Sequence, residues 1–139
     1  MEHEIAALYR SVRTRLTEIT EVWGDRAYVD LAPSRSTLPY AVYAVTELRR
    51  IERATRSVMA LTLRVTCAAD SLSSLIECLG RINDLLDDAD YDTPKALDSG
   101  YDWVILTMTR GGMIQRAVLV DGVAEYEAVI AYRAVVEPR

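Results

Sequence analysis

The stretch that decides the fold reads YVDLAPSRSTLPYAVY at positions 28–43. It holds two short β-prone runs on either side of a loop that is bracketed by Pro33 and Pro39. Each proline fixes its own φ and pushes the residue before it toward extended geometry, so the loop is predicted to be stiff. The stretch therefore predicts two short strands separated by a rigid connection.

The length and charge of the chain limit what it can be. A chain of 139 residues fits one domain, residues 1–139, that buries about two thirds of the surface its unfolded form exposes. The net charge of −5 argues against tight, non-specific DNA binding, which requires a surplus of basic residues. No apolar run approaches the ~20 residues of a membrane span. We therefore expect a soluble, intracellular product with no membrane partner.

Two segments have the apolar spacing of amphipathic helices. In the first, from Glu4 to about Thr20, apolar residues recur at steps of three and four. In the second, which ends at about Leu86, Asp70 or Ser71 is suited to cap the first turn. Gly80 interrupts the second helix, and we expect it to be tolerated because the helix lies close against a sheet. The predicted stripes are Ile5, Leu8, Val12, Leu16 and Ile19, and Leu72, Leu75, Ile76, Leu79, Ile82 and Leu86.

The remaining segments are β-prone. Turns are predicted at Arg110-Gly111-Gly112 and Asp121-Gly122, and the run from Met113 to Val120 is either a strand or an extended excursion. Hairpins are expected to join the strands that lie between the two helices. The fold class is therefore α+β, with an antiparallel or mixed sheet of about five to six strands and two main helices packed on it. The predicted strands are Arg26 to Leu31, Tyr40 to Thr46, Ser57 to Cys67, Tyr101 to Thr109 and Ala124 to Val135.

A run of arginines follows the second predicted strand, between Glu47 and Ser57. One interpretation is a solvated hairpin tip. The other is a projecting arm that contacts a partner's carboxylates, because the guanidinium group suits forked pairing at interfaces. The residues concerned are Arg49, Arg50, Arg53 and Arg56.

A cluster of acidic residues follows the second helix. Asp88, Asp90 and Asp92 match the first three ligand positions of a calcium loop. Thr93 stands where that loop needs glycine, and Ser99 stands where it needs the closing glutamate. The default interpretation is a solvated acidic loop, and a functional negative surface or a metal site are the alternatives.

The sequence carries no recognisable catalytic system. A nucleophile needs a base within reach, and the one histidine, His3, falls in an N-terminal segment predicted to be mobile. Cys67 and Cys78 lie at positions predicted to be buried, which favours reduced thiols over a bridge. We therefore predict that the chain is not an enzyme and holds no cofactor or metal; a small calcium-binding or catalytic domain is the alternative.

Several features taken in order resemble the tail terminator family of long-tailed bacteriophages, the tail-completion and head-tail joining proteins. They begin with the opening helix from Ala7 to Ile19 and the proline-bracketed loop. The run from Met113 to Val123 departs from the family pattern, because it lacks the longer polar loop expected there. The other features are Ala32-Pro33, Leu38-Pro39-Tyr40, the exit from Thr66 to Asp70 into the second helix, the strand with Trp103, and the last strand through Tyr132-Arg133.

The resemblance implies an α+β subunit that assembles with its own copies into a hexameric ring. Such a ring caps the head-proximal end of the tail tube, stops its polymerisation and offers a surface to the neck of the head. The expected partners are other copies, the tail tube protein and the head-neck connector protein, with DNA passing through unbound. The expected location is the virion tail, after assembly in the host cytoplasm.

The resemblance also gives the two charged segments a use. Arg49, Arg50, Arg53 and Arg56 would contact a neighbouring subunit or the tube. Asp88, Asp90 and Asp92 would form the acidic surface that receives them, or would face the DNA channel. A neck or head-completion connector is the alternative from the same setting.

Overall fold

The computed structural model describes residues 3–17, 26–33, 37–51, 58–86 and 103–138. Within these residues the chain forms two helices and five strands, which confirms the predicted α+β class. The helices are α1 (Glu4–Leu16) and α2 (Leu72–Leu86), and the strands are β1 (Ala27–Val29), β2 (Tyr40–Ile51), β3 (Val58–Ala69), β4 (Trp103–Val120) and β5 (Val123–Pro138).

The five strands form one mixed sheet in the order β1-β2-β3-β5-β4. β1 runs parallel to β2, and every other neighbouring pair is antiparallel. The expectation of a hairpin between the first two strands is therefore wrong. Two parallel neighbouring strands need a connection that returns the chain to the end of the sheet at which the first strand began. The connection here lies between Val29 and Tyr40, and in its described part the Pro39 carbonyl oxygen accepts a 3.0 Å hydrogen bond from Arg26 Nε.

Both helices pack on the same face of the sheet and share one apolar core with it. Leu8, Val12 and Leu16 of the predicted first stripe are fully buried, and Ile19 lies outside the described residues. The Tyr9 hydroxyl accepts a 2.8 Å hydrogen bond from the Val45 amide, which ties α1 to β2. On the sheet side the core takes alternate residues of the strands, including Tyr43, Leu61, Leu63, Val65, Ala128, Ile130, Tyr132 and Ala134.

The start of α1 differs from expectation. His3 is its N-cap, and the Nδ1 atom accepts a 3.1 Å hydrogen bond from the Ile5 amide. A capping side chain satisfies one of the donors that the first helical turn leaves unpaired. The prediction that His3 lies in a mobile segment is therefore wrong.

α2 is capped as predicted, since Ser71 Oγ accepts a 3.1 Å hydrogen bond from the Ser74 amide. The predicted apolar stripe is too wide, however. Leu72 and Ile76 are 44% and 59% exposed, and a Cβ added at Gly80 would meet no atom within 4 Å. Positions four residues apart form one line along a helix, and this line lies away from the sheet. Gly80 therefore makes no close approach to the sheet, contrary to expectation.

The two cysteines are buried and free, as predicted. Their thiols lie side by side between β3 and α2. The Cys67 thiol donates a hydrogen bond to the neighbouring Cys78 sulfur, and this bond, together with burial, raises the pKa of Cys67 far above its ordinary value. Cys67 therefore stays protonated and acts as a small apolar core residue.

Candidate assembly surface

The side of the sheet opposite the helices is covered by no described element, and we call it the open face. A sheet face that meets water normally carries polar side chains. On this face, however, the outward positions of the central strands alternate between charged residues and small or apolar ones, and Ala60 and Ala68 are only 7% and 1% exposed. Apolar patches among charged residues are typical of protein interfaces. The small or apolar outward residues are Val42, Ala44, Ala60, Thr62, Thr66, Ala68, Val129, Ala131 and Val135.

Two neighbouring depressions form a groove on the open face. One has a volume of about 490 Å³ and is lined by Arg64, Ile114 and Val129 among others. The next has a volume of about 380 Å³ and includes Arg49 and Arg133 in its walls. The two share a wall at Ala131. The groove thus runs across β3 and β5 with a largely apolar floor and margins that are mainly basic, with Glu47 as an acidic member.

The basic margins are available for a partner. Arg49, Arg64 and Arg133 are exposed, and none of them makes an ion pair within the described ranges. Arg116, by contrast, donates from Nη2 and Nε to one Glu127 oxygen at 3.0 and 3.1 Å. Unpaired guanidinium groups around an apolar floor suit a partner that brings both carboxylates and apolar side chains.

The predicted arginine cluster is divided by the structure. β2 continues to Ile51, so residues 47–51 belong to a strand. The prediction of a solvated hairpin tip is therefore wrong for these five residues. A register shift lies between Val45 and Glu47, after which Arg49 is opposite Ala60 on the open face. Arg50 is opposite Met59 and points to the other face, because side chains alternate along a strand. Arg53 and Arg56 lie outside the described residues.

The predicted acidic surface cannot be placed in the same way. Asp88, Asp90 and Asp92 all lie outside the described residues. Where the structure does describe the chain, no three His, Cys, Asp or Glu side chains come close enough to hold a metal ion. In the same described part, neither helix is long and apolar enough to cross a membrane.

β4 forms one unbroken strand of 18 residues. The predicted turn at Arg110-Gly111-Gly112 is therefore wrong: the chain only shifts register there. At Gly111 a Cβ would lie 3.3 Å from the Ala131 carbonyl oxygen, so the missing side chain allows β4 to stay close to β5. The run from Met113 to Val120 is thereby confirmed as strand.

The tip of the β4–β5 hairpin extends beyond the rest of the sheet. β3 ends at Ala69, which pairs with Tyr126, so residues 118–125 pair only with each other. We call residues 118–125 the hairpin extension. Its turn is the predicted pair Asp121-Gly122, with φ values of 51° and 78°, and positive φ at both positions is typical of the type I′ turns that close two-residue hairpins.

The hairpin extension exposes apolar side chains to an unusual degree. Leu119 is 77% exposed, Val123 is 63% exposed and Val120 is 44% exposed. Its charged residues are Asp121 and Glu125, and it contains no basic residue. It is thus an acidic, apolar projection, and the sequence analysis missed it because a β-prone run shows no sign of where its neighbouring strand ends.

Tyr40 marks the β1 side of the open face. It lines a third depression, of about 310 Å³, together with Asp30, Thr66 and Glu127. Burial, followed by the charges of Glu125 and Glu127, raises the pKa of Tyr40 above its ordinary value. Its hydroxyl therefore stays neutral and can donate a hydrogen bond at any physiological pH.

Comparison with known proteins identifies the family. The model of the family "Tail completion protein gp17" matches residues 6–137. The fold is similar to a solved structure described as "Virion of native gene transfer agent (GTA) particle", with a TM-score of 0.73, 16% identity, and coverage of 98% of this chain and 99% of that chain. A second solved structure has a TM-score of 0.56 at 9% identity, covering 99% of this chain and 97% of the other. No curated protein matches. The chain therefore belongs to the tail completion protein gp17 family of structural tail proteins.

Proposed function

We propose that six copies of this chain form a ring that caps the head-proximal end of a tail tube. The ring ends tube polymerisation and provides the surface that joins the tail to the head. The observation that carries this proposal is the family match, which spans nearly the whole chain. The fold is also similar, over its full length, to one chain of a virion particle. This similarity supports a role as one subunit of a larger assembly.

The surfaces of the chain are consistent with a ring. A ring closes through heterologous contacts, in which each subunit uses two different surfaces for its two neighbours. The open face and the hairpin extension are two such surfaces, and they differ in shape and in charge. Both belong to one sheet, which would fix the angle between neighbouring subunits.

The overall charge supports free passage of DNA. A net charge of −5 on each subunit disfavours contacts with phosphates, because such contacts depend on neutralisation by basic residues. We propose that the bore of the ring does not bind DNA specifically. The tail tube protein on one side and the head-neck connector protein on the other are the proposed partners. Contacts by Arg49, Arg50, Arg53 and Arg56, and an acidic surface at Asp88, Asp90 and Asp92, remain predictions.

Deletion of this chain from the producing phage or particle tests the function. We expect filled heads that are not joined to tails, and tails of irregular length, in electron micrographs. Expression of the intact chain in trans should restore joined particles and uniform tails. Normal tails joined to heads in the deletion would contradict the proposal.

The position of this chain in the particle distinguishes a tail cap from a neck connector. An epitope-tagged chain should be found at the head-proximal end of isolated tails, and averaged images should show six-fold symmetry there. A tag found on isolated heads, with tails of uniform length in the deletion, would instead assign the chain to the neck and contradict the cap.

A further inference from the structure

The hairpin extension is shaped for burial against something else. A two-stranded ribbon has little stability by itself in water, and this one exposes Leu119, Val120 and Val123. Each strand of the extension is about three residues long, which is about 10 Å. Since β4 and β5 carry it past the end of β3, it continues the sheet beyond that strand and no described strand lies beside it. Its apolar residues are therefore available for contact with another molecule.

The open face has the complementary properties. Its floor between β3 and β5 is made of small residues such as Val129 and Ala131, which leave room for larger side chains. Its margin carries Arg49, Arg64 and Arg133 against one carboxylate, that of Glu47. The extension, by contrast, carries Asp121 and Glu125 and no base. Apolar contact at the centre with opposite charges at the rim is the usual anatomy of a protein interface.

We propose that the hairpin extension of one subunit docks in the open-face groove of a second copy of this chain. The inference rests on the proposed function, because repetition of this contact around a ring gives every subunit one occupied groove and one docked extension. Complementary charge argues for a second copy, since the acidic ribbon and the basic groove lie on the same chain. The contact is heterologous, so it closes a ring and leaves no apolar extension exposed.

A photo-crosslinking amino acid at position 119, in the full chain within assembled particles, tests the inference. Leu119 is 77% exposed, so the replacement leaves the core intact. Irradiation should give a product of twice the subunit mass, and peptide mapping should place the crosslink in β3 or β5 near Ala131. Val123 provides a second position with the same expectation. A probe at Thr14, on the exposed side of α1, should give no such product.

Other crosslinking outcomes overturn the inference. These are attachment to a different virion protein, attachment to residues 87–102, or no doubled product from particles that contain the labelled chain. Failure of the proposed function has a different signature: the chain is absent from particles, and its deletion leaves them joined and uniform.

A mixing experiment tests whether the contact is heterologous. The variant Leu119→Glu/Val123→Glu damages the extension and keeps the groove, while Ala131→Glu damages the groove and keeps the extension. At concentrations where the wild type gives crosslinked oligomers, neither variant alone should form them. The equimolar mixture should form dimers and nothing larger, because one intact extension meets one intact groove. Oligomers from either variant alone, or no dimer from the mixture, would overturn the inference.

Discussion

The two faces of the sheet are built from the same strands and carry different side chains. On β5, Ile130 and Tyr132 point to the helices and are 0% and 1% exposed. Val129 and Ala131, one residue away, point to the open face and are half-buried. The covered face of β5 is apolar apart from tyrosine hydroxyls, whereas the open face mixes Val129 and Ala131 with charged residues such as Arg133. We infer that the helices stabilise the subunit through the first face, and that the second face is kept for assembly.

The largest expected effect on stability comes from a comparison of the two faces of β5. Ile130→Ala removes a fully buried side chain, and we expect a loss of about 2–5 kcal/mol in the free energy of unfolding because a cavity remains in the core. Val129→Ala, on the open face, should cost about 1 kcal/mol or less. Urea unfolding of both variants measures the difference. Equal losses would show that the open face is also part of the subunit core.

A smaller effect is expected from the polar contact that links the sheet to α2. The Tyr132 hydroxyl donates a 2.5 Å hydrogen bond to Asn83 Oδ1. Tyr132→Phe should cost about 1–3 kcal/mol, because the partly buried amide oxygen loses its donor. Tyr40→Phe, on the open face, is the matched control and should change stability by about 0.5 kcal/mol or less. A control variant as destabilised as Tyr132→Phe would contradict this assignment.

A gain is expected at the exposed glycine of α2. Gly80→Ala should stabilise the protein by about 0.5–1 kcal/mol, because alanine favours a helix and the new Cβ meets no atom within 4 Å. Gly111→Ala should give no gain, since its Cβ would lie 3.3 Å from a backbone oxygen. Thermal unfolding measures both changes. A loss of stability in Gly80→Ala would restore the sequence-based expectation that the glycine lies against the sheet.

The smallest effect concerns the ion pair on the open face. Arg116 and Glu127 are joined at 3.0 Å, but the Arg116 side chain is 63% exposed. Such exposed pairs contribute about 0.2–1 kcal/mol, so Arg116→Ala should lower subunit stability only slightly. The loss should shrink further in 1 M salt, where charges are screened. A larger loss that persists in salt would mean that Arg116 packs into the subunit itself.

The sequence predicted well those features that depend on a single helix, strand or turn. The buried part of the α1 stripe, the Ser71 cap and the Asp121-Gly122 turn are all confirmed. Each depends on contacts within a few residues. The exposed positions of α2, which are Leu72, Ile76 and Gly80, were misplaced because a stripe pattern does not show how much of the stripe the sheet covers.

The predicted site could be placed only in part. Arg49 was predicted as a contact residue because of its charge, and it does line the groove. Arg64 and Arg133 also line the groove, but they were not predicted. Each is a single arginine within an alternating strand, so the sequence gives it no prominence. Only the strand order brings these three arginines to one face. The hairpin extension was missed for the same reason: it exists because β3 stops at Ala69 while its neighbours continue.

The sequence by itself determined the type and approximate place of the helices and strands, because apolar periodicity, caps and turn residues act locally along the chain. The tertiary structure alone decided that β1 is parallel to β2, which side of the sheet the helices leave open, and where the hairpin projects. Those features depend on which distant segments become neighbours. A local pattern specifies the apolar side of a strand, whereas only packing determines what covers that side.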